Sequence, residues 1–356
     1  MNENRISKIV VLGLGAVGEL AATLLQDTGF KVTGVDTRFP DRELPFATTK
    51  ASASVRGELI AVLKGQDAVL SCLPYHLNKE VAQVACELGL YYFDLTEDVA
   101  TKELILELSQ KCNKLMAPQC GLAPGFVSIV GAHLAEQFEE IRSIKLRVGA
   151  LPQHPTGLLG YSFNWSPEGV VNEYLNDCEV IEGGQHKWTS PMEWLETVYV
   201  DGVRLEAFTT SGGLGTMCDT YRDRIENLDY KTMRYPGHAR LMNFFFHELL
   251  MREDRELAGR ILINAKPPVD DDVVHIHVSA EGLQDSRLSR REFVRSYYPQ
   301  EIGGRYWRAI AWTTASSVCA VIELVNNGTL PGRGFLRQEK VPLEAFLATE
   351  NGQRYG

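Results

Sequence analysis

Short apolar runs alternate with helical patterns through the first third of the chain. Ile9-Val10-Val11-Leu12, Lys31–Asp36, Ala68–Pro74, Leu90–Thr96 and Leu115–Pro118 have the length and β-branched or aromatic content of buried strands. Between them, Glu19–Leu25, Val55–Lys64, Leu77–Leu88 and Lys102–Lys111 repeat apolar residues at helical spacing, and Gly29 and Gly89 supply two of the stops. Strands that alternate with helices this regularly pair in parallel through crossover helices. The pattern predicts an α/β fold: a doubly wound parallel sheet of the Rossmann type over residues 1–124.

The first strand runs into Gly13-Leu14-Gly15-Ala16-Val17-Gly18. Gly13 permits a tight turn, Gly15 lets a pyrophosphate approach the backbone, and Gly18 lets the next helix pack against the strand. That helix would aim its first N–H groups, including those of Ala16 and Val17, at the phosphates. The second strand ends in Asp36, 18 residues beyond Gly18, near the spacing of the carboxylate that binds adenosine ribose hydroxyls. A carboxylate there favours NAD, because it repels a 2′-phosphate. Arg38 nearby leaves NADP open. In such sheets ligands sit beyond the carboxyl ends of strands, which puts Leu73, Pro74 and Tyr75 beside the cofactor and Asp94 near the reacting end.

Beyond Gly121-Leu122-Ala123-Pro124-Gly125 the pattern changes. Two-residue alternation and hairpin signals dominate from Ser143 to Val278, with Asp201-Gly202 between Thr197–Val200 and Arg204–Phe208 as the clearest turn. This predicts a mostly antiparallel α+β domain over 125–308. A long apolar helix, Ala309–Val325, then opens a segment, 309–356, expected to fold back on the first domain.

Composition narrows the partners. A net charge of −10 argues against nucleic acid, which rewards clustered Lys and Arg. No apolar run reads as a membrane span, and Met1–Arg5 lacks the apolar core of a signal peptide. Seven scattered cysteines without a CxxC read as reduced thiols of a cytoplasmic protein.

Three polar segments of the second domain could carry chemistry. In Tyr161-Ser162-Phe163-Asn164-Trp165-Ser166, Tyr161 and Asn164 suit a polar ligand, whereas Ser166 reads as a helix N-cap ahead of Pro167. In Lys231-Thr232-Met233-Arg234-Tyr235-Pro236-Gly237-His238, Arg234 could clamp a carboxylate, and His238 opens a helix at its positive end, which depresses its pKa. Thr209–Thr216 is either a backbone anion nest or a flexible loop. His275 and His277 share a strand face, but no third ligand accompanies them, and no metal is expected.

Taken in order, the glycine fingerprint, Cys72-Leu73-Pro74-Tyr75, Phe93-Asp94-Leu95-Thr96, Gly121–Gly125, Gly149-Ala150-Leu151-Pro152, Gly160–Ser166 and Lys231–His238 resemble the saccharopine dehydrogenase family, and within it the lysine 6-dehydrogenase branch. The saccharopine-forming members have Asp in the turn where this chain has Ala123, and the loop Ser211–Thr216 is richer in glycine here. The resemblance implies an NAD(P)-dependent oxidoreductase acting on the C–N bond of an amino acid, lysine or a lysine-derived secondary amine, and a homodimer built through the second domain. On this reading Asp94 and His238 are catalytic, and Tyr161, Asn164, Arg234 and Tyr235 bind substrate. The alternatives are an opine- or carboxyamine-type reductive dehydrogenase and a non-catalytic NAD(P)-sensing regulator.

Overall fold

The computed structural model of the chain describes residues 6–356, so the signal-peptide reading of Met1–Arg5 lies outside the described residues. Two compact units are present: Met1–Ile129 with Ala311–Gly356, and Val130–Ile310.

The first unit is built on a seven-stranded parallel sheet. Its strands are β1 (Lys8–Leu12), β2 (Lys31–Asp36), β3 (Ala47–Lys50), β4 (Ala68–Ser71), β5 (Tyr91–Asp94), β6 (Leu115–Ala117) and the short C-terminal strand Gly334–Phe335. The last of these sits beside β6, and the order continues β6-β5-β4-β1-β2-β3. The chain runs outward from β1 through β2 to β3, then returns to β4 on the other side. The order therefore reverses between β1 and β4, where ligands of open α/β sheets bind. Crossovers α1 (Ala16–Asp27), α2 (Arg56–Leu63), α3 (Tyr75–Leu88) and α4 (Val99–Ser109) follow the strands as the periodicity predicts. Gly89, in the left-handed conformation, ends α3, and the Asp98 side chain caps α4 by accepting from the Thr101 N–H.

Two expectations need correction. Cys86, near the end of α3, and Cys112, just past α4, are joined by a disulfide with Cα atoms 5.1 Å apart. They are 26 residues apart in sequence, and only the packing of α3 on α4 brings them together, so scattered spacing concealed the pair. The long apolar helix, α5 (Ala309–Asn326), does meet the length and composition of a membrane span, but 78% of that window is buried inside the protein. Trp312, Ala315, Val318, Val321, Ile322 and Val325 are core residues.

The second unit carries an eight-stranded sheet. Strands β7 (Glu140–Pro152), β10 (Glu196–Val200), β11 (Val203–Thr209), β12 (Asn227–Arg234), β13 (Asp272–Gln284) and β14 (Arg287–Tyr297) take the order β10-β11-β12-β7-β13-β14. The hairpin β8 (Cys178–Glu182) and β9 (Gln185–Thr189) attaches to β12. Only β12 and β7 pair in parallel. Asp201 and Gly202 form the β10–β11 turn with φ of 48° and 80°, the two positive values that a two-residue hairpin of this hand requires.

Alkylation of denatured, unreduced protein should label five thiols rather than seven, and Cys86→Ala should cost about 2–4 kcal/mol by freeing the closed loop in the unfolded chain, read from urea unfolding. Seven labelled thiols would show the bridge absent.

Candidate functional site

The glycine turn lies at the sheet's switch point. Gly13 leaves β1 at φ +85° and donates its N–H to the Val35 carbonyl at 2.9 Å. A Cβ on Gly18 would stand 1.8 Å from the Gly13 carbonyl oxygen, so no other residue fits there without moving the helix. Gly15 is different: nothing lies within 4 Å of where its Cβ would be. Gly15 and Ala16 are exposed, Val17 is half-buried, and Gly15, the N-cap of α1, supplies no side-chain cap. The first N–H groups of α1 thus face open space over a residue with no side chain, a cradle that fits a pyrophosphate.

Asp36 ends β2 beside this turn. One carboxylate oxygen accepts from the Leu14 N–H at 2.7 Å, and the other accepts from Thr37 and Arg38 N–H groups at 2.6 and 3.1 Å. These bonds fix its carboxylate next to the glycine loop, and its side chain stays half-exposed. Leu73 approaches Gly13, with its Cδ2 3.1 Å from where a Cβ would be. Pro74 caps α3 without a side-chain bond, and Tyr75 opens that helix.

Asp94 stands at the end of β5 but is fully buried. Its carboxylate accepts from the Tyr92 hydroxyl at 2.6 Å, the Thr96 N–H at 3.0 Å and the Gln119 N–H at 2.9 Å. Burial pushes its pKa up to about 6, against the pull of those three donors. Asp94 therefore ties the end of β5 to the segment after β6, and Gln119 takes a positive φ of 65° to reach it.

In the second unit, Arg234, Tyr161 and His238 converge, together with Tyr174, which was not singled out from sequence. Arg234 ends β12, and its neighbour on β11 is Glu206. The guanidinium is 2% exposed, lies 4.5 Å from the Tyr161 ring centroid, and donates from Nε to the Tyr174 hydroxyl at 2.8 Å and from Nη1 to the Met233 carbonyl at 2.9 Å. His238 follows Gly237, whose φ is +98°. Its Nδ1 lies 3.0 Å from the Leu159 carbonyl, which only an N–H can satisfy, so Nε2 accepts from the Tyr174 hydroxyl at 3.0 Å. Tyr174 is a relay: it accepts from the arginine and donates to the histidine. The His238 pKa is pushed down to about 3, first by burial and then by the Arg234 charge, so the imidazole is neutral at pH 7. Of the carboxylates, the buried Glu173 is the one whose charge acts on Arg234.

Glu206 was also missed. Its two carboxylate oxygens accept from the Gly237 and Ala239 N–H groups at 2.8 and 2.7 Å, which starts α6 (His238–Asn243) in register with Arg234. Its role needed the pairing of β11 with β12, which spacing alone does not reveal. Asn164 and Tyr235 bond to backbone: Asn164 Oδ1 accepts from Val269 N–H at 2.8 Å, and the Tyr235 hydroxyl donates to Pro152 at 2.9 Å. Ser166 is the expected N-cap of helix Pro167–Leu175. The Thr209–Thr216 loop is packed rather than open, because the Tyr230 ring leaves no room for a Cβ on Gly213. His275 bonds Ser296 and His277 faces Glu292.

A parallel switch-point sheet with an open glycine cradle and a carboxylate fixed beside it is the architecture of a dinucleotide-binding protein. The chain belongs to the saccharopine dehydrogenase family: the family's NADP-binding domain matches residues 9–119 and its C-terminal domain residues 121–349. NAD(P) is accordingly its cofactor. Alpha-aminoadipic semialdehyde synthase, mitochondrial, is 24% identical over 257 residues in Mus musculus and 24% over 264 residues in Rattus norvegicus. Both alignments cover 67% of this chain, and the chain spans only 28% of the length of these relatives. Among solved structures, saccharopine dehydrogenase (L-Glu forming) from Saccharomyces cerevisiae superposes with a TM-score of 0.74 at 16% identity, covering 96% of both chains. The C. glutamicum DAP dehydrogenase in complex with DAP gives 0.52 at 11% identity over 97% of this chain and 96% of that one. These two similarities show the fold.

Asp94 gives a pH test. Its folded pKa of about 6 lies above its ordinary 3.8, so the folded state holds the proton more tightly and stability falls as pH rises between those values. His238 has the opposite effect, with stability lost as pH falls from 6.5 towards 3, and it is common to both proteins compared. Asp94→Asn should therefore gain about 2 kcal/mol relative to wild type between pH 4 and pH 7, by urea denaturation. A difference that stays flat across that range would refute the buried-carboxyl assignment.

Proposed function

We propose that this protein is an NAD(P)-dependent dehydrogenase acting on the C–N bond of an amino acid, with lysine or a lysine-derived secondary amine as substrate. The observation that carries the reading is Arg234, a buried guanidinium near the Tyr161 and Tyr174 rings and beside a neutral histidine. A buried charge is costly; the buried Glu173 carboxylate helps to offset it, and a substrate carboxylate would add direct bidentate bonds.

When bound, the dinucleotide would supply the hydride acceptor; Gly13, Gly15, Ala16, Val17 and Gly18 would hold its phosphates, Asp36 its adenosine ribose, and Leu73, Pro74 and Tyr75 would line its site. The chain's own task is to fix the substrate and move protons. Arg234 takes the carboxylate and Tyr161 lines the pocket. Tyr174 and His238 hold a defined proton between them: the hydroxyl proton points at Nε2, leaving the hydroxyl oxygen to Arg234. The substrate amine loses a proton and its carbon a hydride, and water hydrolyses the resulting imine. Asp94 belongs to this reading as the buried carboxyl, with a pKa of about 6, that sets the ends of β5 and β6 near the reacting end. Asn164 and Tyr235, bonded to the Val269 and Pro152 backbone, brace the segments that carry Tyr161 and Arg234.

NAD is the preferred dinucleotide in this reading, because the Asp36 carboxylate repels a 2′-phosphate by about 1 kcal/mol in water and several times more where solvent is excluded. A homodimer through the second unit and the absence of nucleic-acid or membrane partners complete it. The cytoplasmic location rested on unpaired thiols, and the Cys86–Cys112 bridge removes that support.

Purified protein with NAD or NADP and a panel of lysine, saccharopine, diamines and amino acid plus keto acid pairs should change nicotinamide absorbance with a lysine-type substrate. A signal only in the reductive amino acid plus keto acid arm would point to an opine-type enzyme, and no signal in any arm would refute the dehydrogenase reading. Arg234→Lys should raise KM about 10- to 100-fold with dinucleotide affinity unchanged, equivalent to roughly 1.4–2.8 kcal/mol. An unchanged KM would remove Arg234 from the substrate site. Asp36→Ala should shift the NADP-to-NAD affinity ratio upward by about tenfold or more, measured by nicotinamide fluorescence; an unchanged ratio would exclude Asp36 as the discriminator.

A further inference from the structure

Away from the arginine cluster, three side chains from different elements of the second unit meet. Glu179 lies on β8, His186 on β9 and Cys218 on the short helix Met217–Tyr221. The hairpin register pairs Ile181 with His186, and Glu179 is two residues from Ile181, so Glu179 and His186 project from the same face. Glu179 Oε1 and His186 Nε2 are 2.7 Å apart, and the three ligand atoms, including the Cys218 sulfur, all lie within 4.8 Å of one another.

We propose that these three residues bind a zinc ion. A tetrahedral zinc has bonds of about 2.0–2.3 Å, which separates its ligand atoms by roughly 3–4 Å, so the three atoms need only small adjustments around a common centre. The donor set is one oxygen, one nitrogen and one sulfur. Magnesium and calcium take oxygen ligands, whereas thiolate and imidazole select zinc among the common divalent ions. Burial is graded: Cys218 is buried, while the Glu179 and His186 side chains are 15% and 25% exposed. With Glu179 and His186 partly exposed, water can supply the fourth ligand. On binding, Cys218 releases its thiol proton to solvent and the His186 proton moves from Nε2 to Nδ1. Thiolate and carboxylate then balance the two positive charges. The ion would fasten the β8–β9 hairpin to the helix that follows the Thr209–Thr216 loop. Sequence concealed this group because its members have no ligand spacing, and the expected absence of a metal rested on His275 and His277 instead.

The full chain, stripped with chelator, should take up a single zinc ion in a calorimetric titration with Zn2+ alone. Loaded with Co2+, it should show the intense near-ultraviolet band of thiolate-to-cobalt charge transfer. Cys218→Ser should lose that band, and Glu179→Gln and His186→Gln should lose zinc binding at concentrations that saturate wild type, all with unchanged circular dichroism. If Cys218→Ser does not fold, the half-exposed His186→Gln decides. Absence of stoichiometric zinc uptake, a cobalt band that survives Cys218→Ser, or a zinc isotherm unaltered in His186→Gln would each overturn the proposal and leave a hydrogen-bonded Glu179–His186 pair beside a thiol.

Discussion

The first unit depends on one close approach. Helix α1 passes so near the turn out of β1 that a single added carbon on Gly18 would collide with the Gly13 carbonyl. That contact places the helix start over the carboxyl end of β1, at the point where strand order reverses. The exposed Gly15, the uncapped first turn and the nearby Asp36 all acquire their meaning from it. A helix displaced outward by even a methyl group would aim its N–H groups elsewhere, and Leu14 would lose the Asp36 carboxylate.

The second unit rests on a different constraint, a buried positive charge that its surroundings, the Glu173 carboxylate among them, must answer. Tyr161 and Tyr174 offer ring faces and one hydroxyl, and the Met233 carbonyl takes one N–H. The same charge helps keep His238 neutral, and the Leu159 carbonyl settles which imidazole nitrogen carries the proton. Charge, tautomer and hydroxyl orientation are thus interdependent, and a change in any one of the three side chains propagates to the other two.

Local signals were legible in sequence and distant ones were not. The Rossmann pattern, the Ser166 cap and the Asp201-Gly202 hairpin depend on neighbours within a few residues, and the structure has them where the pattern put them. Cys86 and Cys112 needed the packing of two helices. Tyr174 sits among Val170, Val171 and Leu175 on a helix that reads as core, so its hydroxyl carried no signal. Glu206 required strand register. The Lys231–His238 segment was read as one polar cluster, yet strand alternation divides it. Lys231 turns to the opposite face from Arg234 and joins Glu196 at 3.1 Å, beside Arg147, which pairs with Asp229 at 2.6 Å.

The carboxylate of Glu206 has a consequence for where anions can land. Several helix starts in this chain are stoppered from within: Asp98 on α4, Ser166 on Pro167–Leu175, Asp254 on Arg255–Ala265, Asp272 on α5, and Glu206 on α6. A terminus already filled by a carboxylate turns a second anion away. The start of α1 has no such plug. The fold thereby silences several of its own helix ends and leaves the start of α1, beside the glycine turn, open to a phosphate-bearing ligand.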